Sequence, residues 1–261
     1  MTEILKGAIA PTSVAAAAPG RRPGRLWNLT VVGAADIAPN MRRIGFTAAD
    51  LDEMAYKPGQ DLVLQMPLAD GTTGRRHYTI RAIDRATRRL DMDFVLHGAS
   101  PSGDWARGAK PGEKIDAMGP RGRVVLNLEA EWHLFSGDET CIPAIFGMLE
   151  ILPRGAKAWA FIEIADRSAR MAVSTEAELT LAWIERNGAP AGPSRLLADR
   201  LAAFKLPPGR GHVYLIGETS NVRAQRHELL ARGIAKEQIA AEGYWRPGRI
   251  GGHDHIEERP A

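Results

Sequence analysis

Cysteine is almost absent from this chain: its 261 residues include only Cys141. A lone cysteine excludes an internal disulfide framework and a cysteine-ligated iron–sulfur cluster, and it is compatible with a reducing compartment. The chain also has no apolar run long enough to span a membrane. No Gly-x-Gly-x-x-Gly follows a strand-like segment and no Gly-x-x-x-x-Gly-Lys-Ser/Thr occurs, which disfavours a standard dinucleotide dehydrogenase or a nucleoside triphosphatase.

The chain also lacks a large excess of positive or negative charge. The net charge is +3, from 34 Lys and Arg residues against 31 Asp and Glu residues, and no dense basic block is interleaved with aromatic residues. This argues against a nucleic-acid partner, whereas a mildly positive protein suits a small anionic ligand. Hydrophobic residues make up 44% and charged residues 25%, which predicts a sizeable core in one large domain or two ordinary ones.

The N-terminal residues differ from the rest, with an alanine run followed by a Pro- and Gly-rich stretch. Glu3 and Pro11 interrupt what would otherwise resemble a weak secretory signal. We therefore expect a disordered N-terminal arm over residues 1–24 and a cytoplasmic protein.

Six strand-like segments follow, with turn signals about every dozen residues, the spacing typical of a small β-barrel. A helix near residues 103–108 interrupts them. We predict a six-stranded antiparallel barrel domain over residues 25–128. The expected strands are 27–32, 41–47, 61–66, 77–83, 90–96 and 112–118.

The pattern changes after Arg123, where apolar strands begin to alternate with helices. This alternation predicts a doubly wound parallel sheet in an α/β domain over residues 129–261, which includes a C-terminal tail. Residues 178–185 fit either a further buried strand or a short helix. The expected strands are 132–138, 157–163 and 211–217, and the expected helices are 144–152, 195–203 and 222–232.

Two polar loops lead from strands into helices, at residues 137–140 and 217–221. Ligands of doubly wound sheets bind beyond the carboxyl ends of the strands, and helix N-termini attract phosphate. Ordinary helix capping by Thr140 and Ser220 explains the same residues equally well.

The segment from Arg76 to Arg81 reads Arg-x-Tyr-Thr-x-Arg inside an expected strand. Tyr78 offers a flat face to an isoalloxazine ring, Thr79 a hydroxyl to its polar edge, and arginine a bidentate fork to pyrophosphate. A basic edge strand whose charges only deter aggregation is the alternative interpretation.

Several motifs in a fixed order resemble the siderophore-interacting protein family, FAD-dependent ferric-siderophore reductases related to ferredoxin–NADP⁺ reductases. The resemblance runs from about residue 25 to 250, and it departs from the family in a Trp-containing element at residues 100–106 that is one residue short. The motifs are Arg76-x-Tyr78-Thr79-x-Arg81, His97-Gly98, residues 100–106, Gly119-Pro120-Arg121-Gly122, residues 137–145, Gly217-Glu218 and residues 243–248.

The resemblance implies that FAD is held by the barrel domain. Arg76 would hold the pyrophosphate, while Tyr78 and Thr79 would contact the isoalloxazine. His97 would lie near the adenosine half, although a structural histidine is the alternative, and Trp105 is more simply a packing residue. The implied FAD residues are Arg76, His77, Tyr78, Thr79, Arg81, Phe94, His97, Ser102, Gly103 and Trp105.

The resemblance also implies an electron donor and a substrate. NADPH or NADH would bind the α/β domain, with ferredoxin as an alternative donor, and Arg167 would read a 2′-phosphate unless it is simply solvated. A ferric siderophore, an anionic iron chelate, would bind Lys57, Arg246 and Arg249. The alternative for Lys57 is a turn residue whose side chain is simply exposed to solvent. The implied NAD(P)H residues are Asp138, Glu139, Thr140, Ala144, Arg167, Gly217 and Glu218.

The remaining candidates are weaker. His253 and His255 resemble a metal site, but two histidines in a polar tail lack further ligands, so we expect no protein-bound metal. Cys141 would have a lowered pKa if it begins a helix, although it is more simply a small residue in the nicotinamide loop. The flavin would carry the redox chemistry, so we expect no general acid or base. We expect a monomer; a general flavin or ferric-chelate reductase and a non-enzymatic chelate-binding module remain alternatives.

Overall fold

The computed structural model describes residues 24–256 apart from Ala69, His97, Ala99 and Ile250. The expected N-terminal arm, residues 1–24, therefore lies outside the described residues except for Gly24. The described part of the chain forms two β-sheets and three buried hydrophobic clusters, one of which contains residues of both sheets. None of its helices is both long and apolar enough to cross a membrane.

The first sheet is antiparallel, with strand order β4-β3-β7-β1-β2-β6-β5. Alternate residues of β1, such as Trp27 and Leu29, are fully buried, because successive side chains of a strand point to opposite faces. A short helix, α1 (Pro101–Gly108), packs Trp105 against this core. The strands are β1 (Arg25–Ala38), β2 (Met41–Thr47), β3 (Asp61–Pro67), β4 (Thr73–Thr79), β5 (Ala82–Asp84), β6 (Arg89–Val95) and β7 (Lys114–Arg121).

The expected single strand at residues 77–83 is wrong, because the chain turns a corner there. The amide of Ile80 donates to the carbonyl of Gln60 at 2.9 Å. The amide of the next residue, Arg81, donates instead to the carbonyl of Asp91, also at 2.9 Å. The backbone thus leaves the β3 side of the sheet for the β6 side within one residue. This corner divides the segment into β4 and β5, so the sheet has seven strands where six were expected.

The second sheet has the order β10-β9-β8-β11-β12-β13 and is parallel except for β13. Three helices, α2, α3 and α4, pack against it. The strands are β8 (Trp132–Asp138), β9 (Lys157–Ile164), β10 (Glu178–Glu185), β11 (Gly211–Glu218), β12 (Ile239–Trp245) and β13 (Asp254–His255). The helices are α2 (Ile142–Leu149), α3 (Leu196–Ala202) and α4 (Thr219–Ala231).

Both faces of this sheet are buried. In β11, Val213 and Leu215 pack into the cluster that contains α3 and α4, whereas Tyr214 and Ile216 pack into the cluster that contains α2. The expectation that residues 178–185 are buried is wrong: β10 is the edge strand, and its side chains are only partly covered.

The strand order reverses between β8 and β11, so the carboxyl ends of these two strands diverge into separate loops there. Such a point leaves a crevice at the edge of a parallel sheet. The first sheet packs beside α2, since Met41 of β2 and Val124, which follows β7, belong to the same core cluster as that helix.

Candidate functional site

A cavity of about 660 Å³ lies where the two sheets meet. Its wall includes strand β4, the start of α1, the start of α2 with the turn before it, and the end of β12 with the chain that follows. Residues of β3, β6 and the loop between β3 and β4 complete the wall. Among the lining residues are Arg76, Tyr78, Thr79, Ser102, Thr140, Pro143, Trp245, Arg246 and Arg249.

Strand β4 supplies an aromatic and cationic wall. The ring of Tyr78 stacks on Phe94 with centroids 4.0 Å apart, and its hydroxyl is hydrogen-bonded to Ser102. Burial raises the pKa of Tyr78 despite that hydrogen bond, so the phenol stays protonated at neutral pH. Arg76 anchors one guanidinium nitrogen on the carbonyl of Arg75 at 2.9 Å, and the side chain lines the cavity.

Helix α1 begins on the cavity wall. The hydroxyl of Ser100 caps it by accepting from the amide of Gly103 at 3.1 Å, and residues 100–102 line the cavity. The positive end of the helix dipole therefore faces this space, where it favours an anion.

Three expected FAD residues lie behind this wall and do not line the cavity. Phe94 is fully buried beneath Tyr78. Trp105 stacks on Phe46 with centroids 6.3 Å apart, which agrees with the packing interpretation of this tryptophan. Gly103 is buried in the first turn of α1. The candidate His97 lies outside the described residues.

Arg81 is directed away from the cavity. It forms a two-pronged ion pair with Glu150 at the end of α2, one contact being 2.7 Å, and its Nε lies 3.8 Å from Asp93. Because Arg81 is 8% exposed, its guanidinium already has its partners. The structure therefore places it as a link between the two sheets, unlike the expected phosphate contact.

Asp138 is a buried carboxylate at the end of β8 that accepts several hydrogen bonds. Its Oδ2 accepts from the amide of Glu218 at 2.8 Å and from Nε1 of Trp245 at 3.0 Å. Its Oδ1 accepts from the amide of Thr140 at 2.9 Å. Burial raises the pKa of Asp138, partly offset by these donors. Asp138 thus fixes β8, β11 and β12 relative to one another, and Thr140 is its neighbour that reaches the cavity.

Two other residues expected near the nicotinamide are engaged elsewhere. Glu139 pairs with Arg186 through contacts of 2.7 and 2.6 Å. Ala144 is fully buried in the core around α2. Neither side chain lines the cavity.

The loop after β11 packs closely against Asp138. Gly217 has a φ of +131°, and a Cβ there would lie 2.6 Å from Oδ2 of Asp138. Glu218 caps α4 by accepting from the amide of Asn221 at 2.9 Å. Arg167 lies exposed in a turn (Arg167–Ala169) after β9, away from the cavity lining.

Cys141 differs from expectation. It is fully buried, and burial, together with the nearby carboxylate of Asp138, raises the pKa of its thiol well above the usual value. The helix start does not compensate for this desolvation.

Two of the three expected substrate residues line the cavity. Arg246 and Arg249 both pair with Asp254, the Arg246 contact being 3.5 Å. Lys57 is exposed in a turn, where its amide donates to Oε1 of Gln60 at 2.8 Å, and it does not line the cavity.

A second cavity, of about 460 Å³, adjoins the first and was not expected. His253 lies on its wall between Tyr244 and His77, with ring centroids 4.5 and 4.0 Å away. His77 is hydrogen-bonded to Asp61. The interpretation of His253 as part of a free polar tail is therefore wrong, because Asp254 and His255 pair with β12 as strand β13.

One sequence signal for this wall was available. The aromatic pair Tyr244-Trp245 belongs to a motif already noted, and the structure places both residues on the larger cavity. Buried Glu242, two residues earlier, contacts His253. Burial would raise the pKa of Glu242, but the hydrogen bond of His253 and the charges of His253, His255 and His77 together lower that pKa.

Comparison with known proteins assigns the family. Residues 130–248 match the profile described as "Siderophore-interacting protein", and residues 65–124 match "Siderophore-interacting FAD-binding domain". A ferric vibriobactin reductase of Vibrio cholerae is 32% identical over 236 residues, covering 82% of this chain and 86% of its own. The chain belongs to the siderophore-interacting protein family.

Solved structures agree with this assignment. A siderophore utilization protein from T. fusca is 31% identical and superposes with a TM-score of 0.82 over 90% of this chain and 98% of that chain. A ferredoxin NADP⁺ reductase from Neisseria gonorrhoeae shares the fold, with a TM-score of 0.66 at 15% identity, covering 84% of this chain and 99% of its own. The expected combination of an FAD-binding barrel domain and an α/β domain is confirmed. The chain also matches proteins of Mycobacterium bovis and Mycobacterium tuberculosis, and this match spans 65% of the length of those proteins.

Proposed function

We propose that this siderophore-interacting protein is an FAD-dependent reductase that transfers electrons from NADPH or NADH to the Fe³⁺ of a siderophore. The observation that carries the proposal is the cavity between the sheets, where Arg76, Tyr78 and Thr79 face Arg246 and Arg249. The Vibrio cholerae relative, a ferric vibriobactin reductase, supports the same activity. We further propose that the protein works in the cytoplasm.

The residues of the cavity fit FAD. Tyr78 offers a flat ring that Phe94 supports from behind, and Arg76 offers a guanidinium for the pyrophosphate. The start of α1 adds backbone amides near Ser102, a second anion-binding element beside the arginine. We propose that these groups hold FAD, and that His77 and Thr79 border its ring system.

Bound FAD would supply the exchange between two-electron and one-electron chemistry that couples a nicotinamide to iron. The chain's own residues would orient the FAD and shield it from water. The phenol of Tyr78, kept protonated by burial, presents a neutral donor beside the ring system. Pro143 and Tyr244 cover apolar parts of the cavity wall and restrict water there.

We propose that the nicotinamide enters past Thr140 and Trp245, which line the cavity on the α/β side. Asp138 holds both residues in place through its hydrogen bonds. Arg167 is exposed in the turn after β9, the region where a 2′-phosphate is read in such sheets. Ferredoxin remains the alternative donor.

The substrate is proposed to be a ferric siderophore of net negative charge. Arg246 and Arg249 are partly exposed and fixed by Asp254, so they present charge to the cavity at a low ordering cost. Lys57 would act farther out, as a steering charge. Fe²⁺ binds hard oxygen donors less tightly than Fe³⁺, so reduction releases the metal.

Replacing Arg246 and Arg249 together by glutamine tests this proposal. With FAD bound and NADPH as donor, Fe²⁺ formation is followed anaerobically with a ferrous-specific dye, using an anionic and a neutral ferric chelate. We expect kcat/KM for the anionic chelate to fall at least tenfold, about 1.4 kcal/mol, and that for the neutral chelate to change little.

The matched control is Arg154→Gln, which removes an exposed arginine far from the cavity and should leave both rates unchanged. A kcat/KM for the anionic chelate close to that of the wild type would favour a general ferric-chelate reductase. Equal losses with both chelates would contradict a charge-based role for these two arginines. No NADPH- or NADH-dependent Fe²⁺ formation by the FAD-loaded wild-type protein would refute a nicotinamide-driven reductase.

A further inference from the structure

We propose that Asp61, His77 and His253 form a binding site for a divalent first-row transition metal ion. The three residues come from β3, β4 and the segment that precedes β13. One potential ligand atom from each lies within 4.8 Å of the others. The site therefore joins the two domains at the wall shared by both cavities.

Asp61 carries an unused acceptor. Its side chain is 5% exposed, and one carboxylate oxygen, Oδ1, is buried with no hydrogen-bond partner in the described part of the chain. A buried polar atom without a partner destabilises the fold, so its retention requires an explanation. A metal ion would supply the missing partner and offset the buried negative charge.

Both histidines are oriented by carboxylates. His77 uses Nδ1 in its hydrogen bond to Asp61, and Nδ1 of His253 lies 3.5 Å from Oε1 of Glu242. For His253, the carboxylate on one ring nitrogen fixes the imidazole and leaves the other nitrogen available to a metal. For His77, the metal would take the place of the hydrogen that Nδ1 shares with Asp61. Glu242 is buried and also contacts His255 at 3.3 Å.

Two imidazoles and one carboxylate, with the remaining positions open to a cavity, are the donor set typical of Fe²⁺. Metal–ligand distances of about 2.0–2.2 Å would require the three donors to converge from their present spacing. His253 follows Gly251 and Gly252, whose φ values are +71° and +77°, so the segment that carries it has the backbone freedom for such a shift.

The charged residues around the metal site indicate its role, and this part of the inference rests on the proposed reductase function. Arg75, Arg76 and Arg121 line the same small cavity. Guanidinium groups disfavour a bare cation but attract an anionic chelate. The cavity thus combines a cationic surface for the chelator with nitrogen and oxygen donors for the metal. We infer that Fe²⁺ leaving the chelate is received by Asp61, His77 and His253.

Anaerobic isothermal titration calorimetry of the FAD-loaded protein with ferrous sulfate tests the site. We expect one Fe²⁺ per chain with a Kd in the micromolar range, and a Kd at least tenfold weaker in both His253→Gln and Asp61→Asn. His227→Gln removes an exposed histidine on α4 and should bind Fe²⁺ as the wild type does. Circular dichroism establishes that each variant is folded.

Absence of stoichiometric binding to the wild-type protein would overturn the proposal, as would a wild-type Kd in folded His253→Gln and Asp61→Asn. Loss of binding in His227→Gln would point instead to adventitious surface chelation. Reduction of a ferric chelate is measured on the same wild-type preparation. Reduction without Fe²⁺ binding rejects this site alone, whereas Fe²⁺ binding without reduction rejects the reductase and leaves the site standing.

Discussion

At the scale of single residues, His133 shows how burial changes a titration. It is 2% exposed in β8, with its ring 6.2 Å from Tyr214 and 6.3 Å from Phe135. Burial, aided by repulsion from His212, lowers the pKa of His133 to about 4. His133 is therefore neutral in the folded protein over most of the pH range.

This shift predicts a loss of stability in mild acid. The unfolded chain takes up a proton at His133 near pH 6.5, whereas the folded chain does so only near pH 4. The free energy of unfolding should therefore fall as pH drops from about 6.5 to 4, by up to about 3 kcal/mol from this residue. Urea unfolding between pH 7 and 4.5 measures it.

The variant His133→Asn isolates this contribution, because it keeps a polar side chain that cannot be protonated. Its stability should depend less steeply on pH than that of the wild type. Some dependence should remain, since burial also lowers the pKa of His212. His227→Asn, an exposed control, should keep the wild-type profile. Identical pH profiles for His133→Asn and the wild type would contradict the account.

The residues of the cavity were only partly accessible from the sequence. Arg76, Tyr78 and Thr79 stand together in one short motif, and a single strand carries them all to the cavity wall. Arg81 belongs to the same motif, but the corner at Ile80 redirects it to Glu150. A motif specifies residue types, whereas the direction of each side chain depends on backbone geometry outside the motif.

At the scale of elements, periodicity indicated most of the strands and helices. Segments such as β8 and β11 are long apolar runs bounded by polar loops, a pattern that survives without tertiary information. Strand β5 has three residues and β13 has two, too few for any periodic signal. Strand β12 reads Ile-Ala-Ala-Glu-Gly-Tyr-Trp, and its glycine and small residues conceal the pattern.

The ion pair between Arg81 and Glu150 joins the first sheet to helix α2. Glu150→Gln keeps the size of the side chain but removes its charge. Among the described residues, this leaves the buried guanidinium with Asp93, 3.8 Å away, as its carboxylate partner. We expect a loss of about 1–3 kcal/mol in the free energy of unfolding, at the lower end because Glu150 is 31% exposed. Urea unfolding at pH 7 measures it.

Glu176→Gln is the matched control for that variant. Glu176 pairs with Arg154 at 3.7 Å on an exposed surface, with side chains 72% and 90% exposed, so its removal should change stability by less than about 0.5 kcal/mol. Equal urea midpoints for Glu150→Gln and the wild type would show that this contact does not hold the sheets together.

At the scale of the whole molecule, the site exists because two domains meet. Strand β4 and helix α1 provide one side of the cavity, and the segments after β8 and β12 provide the other. His77 and His253 are separated by most of the α/β domain in sequence, yet their ring centroids lie 4.0 Å apart. Short motifs carry no information about such a contact, which explains why the cluster with Asp61 was not expected.

In the proposed reaction, electrons pass from a nicotinamide through FAD to a chelated ferric ion. The most direct measurement is the visible absorption of the anaerobic FAD-loaded protein, first with NADPH and then with a ferric siderophore. We expect NADPH to bleach the flavin bands and the siderophore to restore them as Fe²⁺ appears. Bands that bleach but are not restored, with no Fe²⁺ formed, would contradict it.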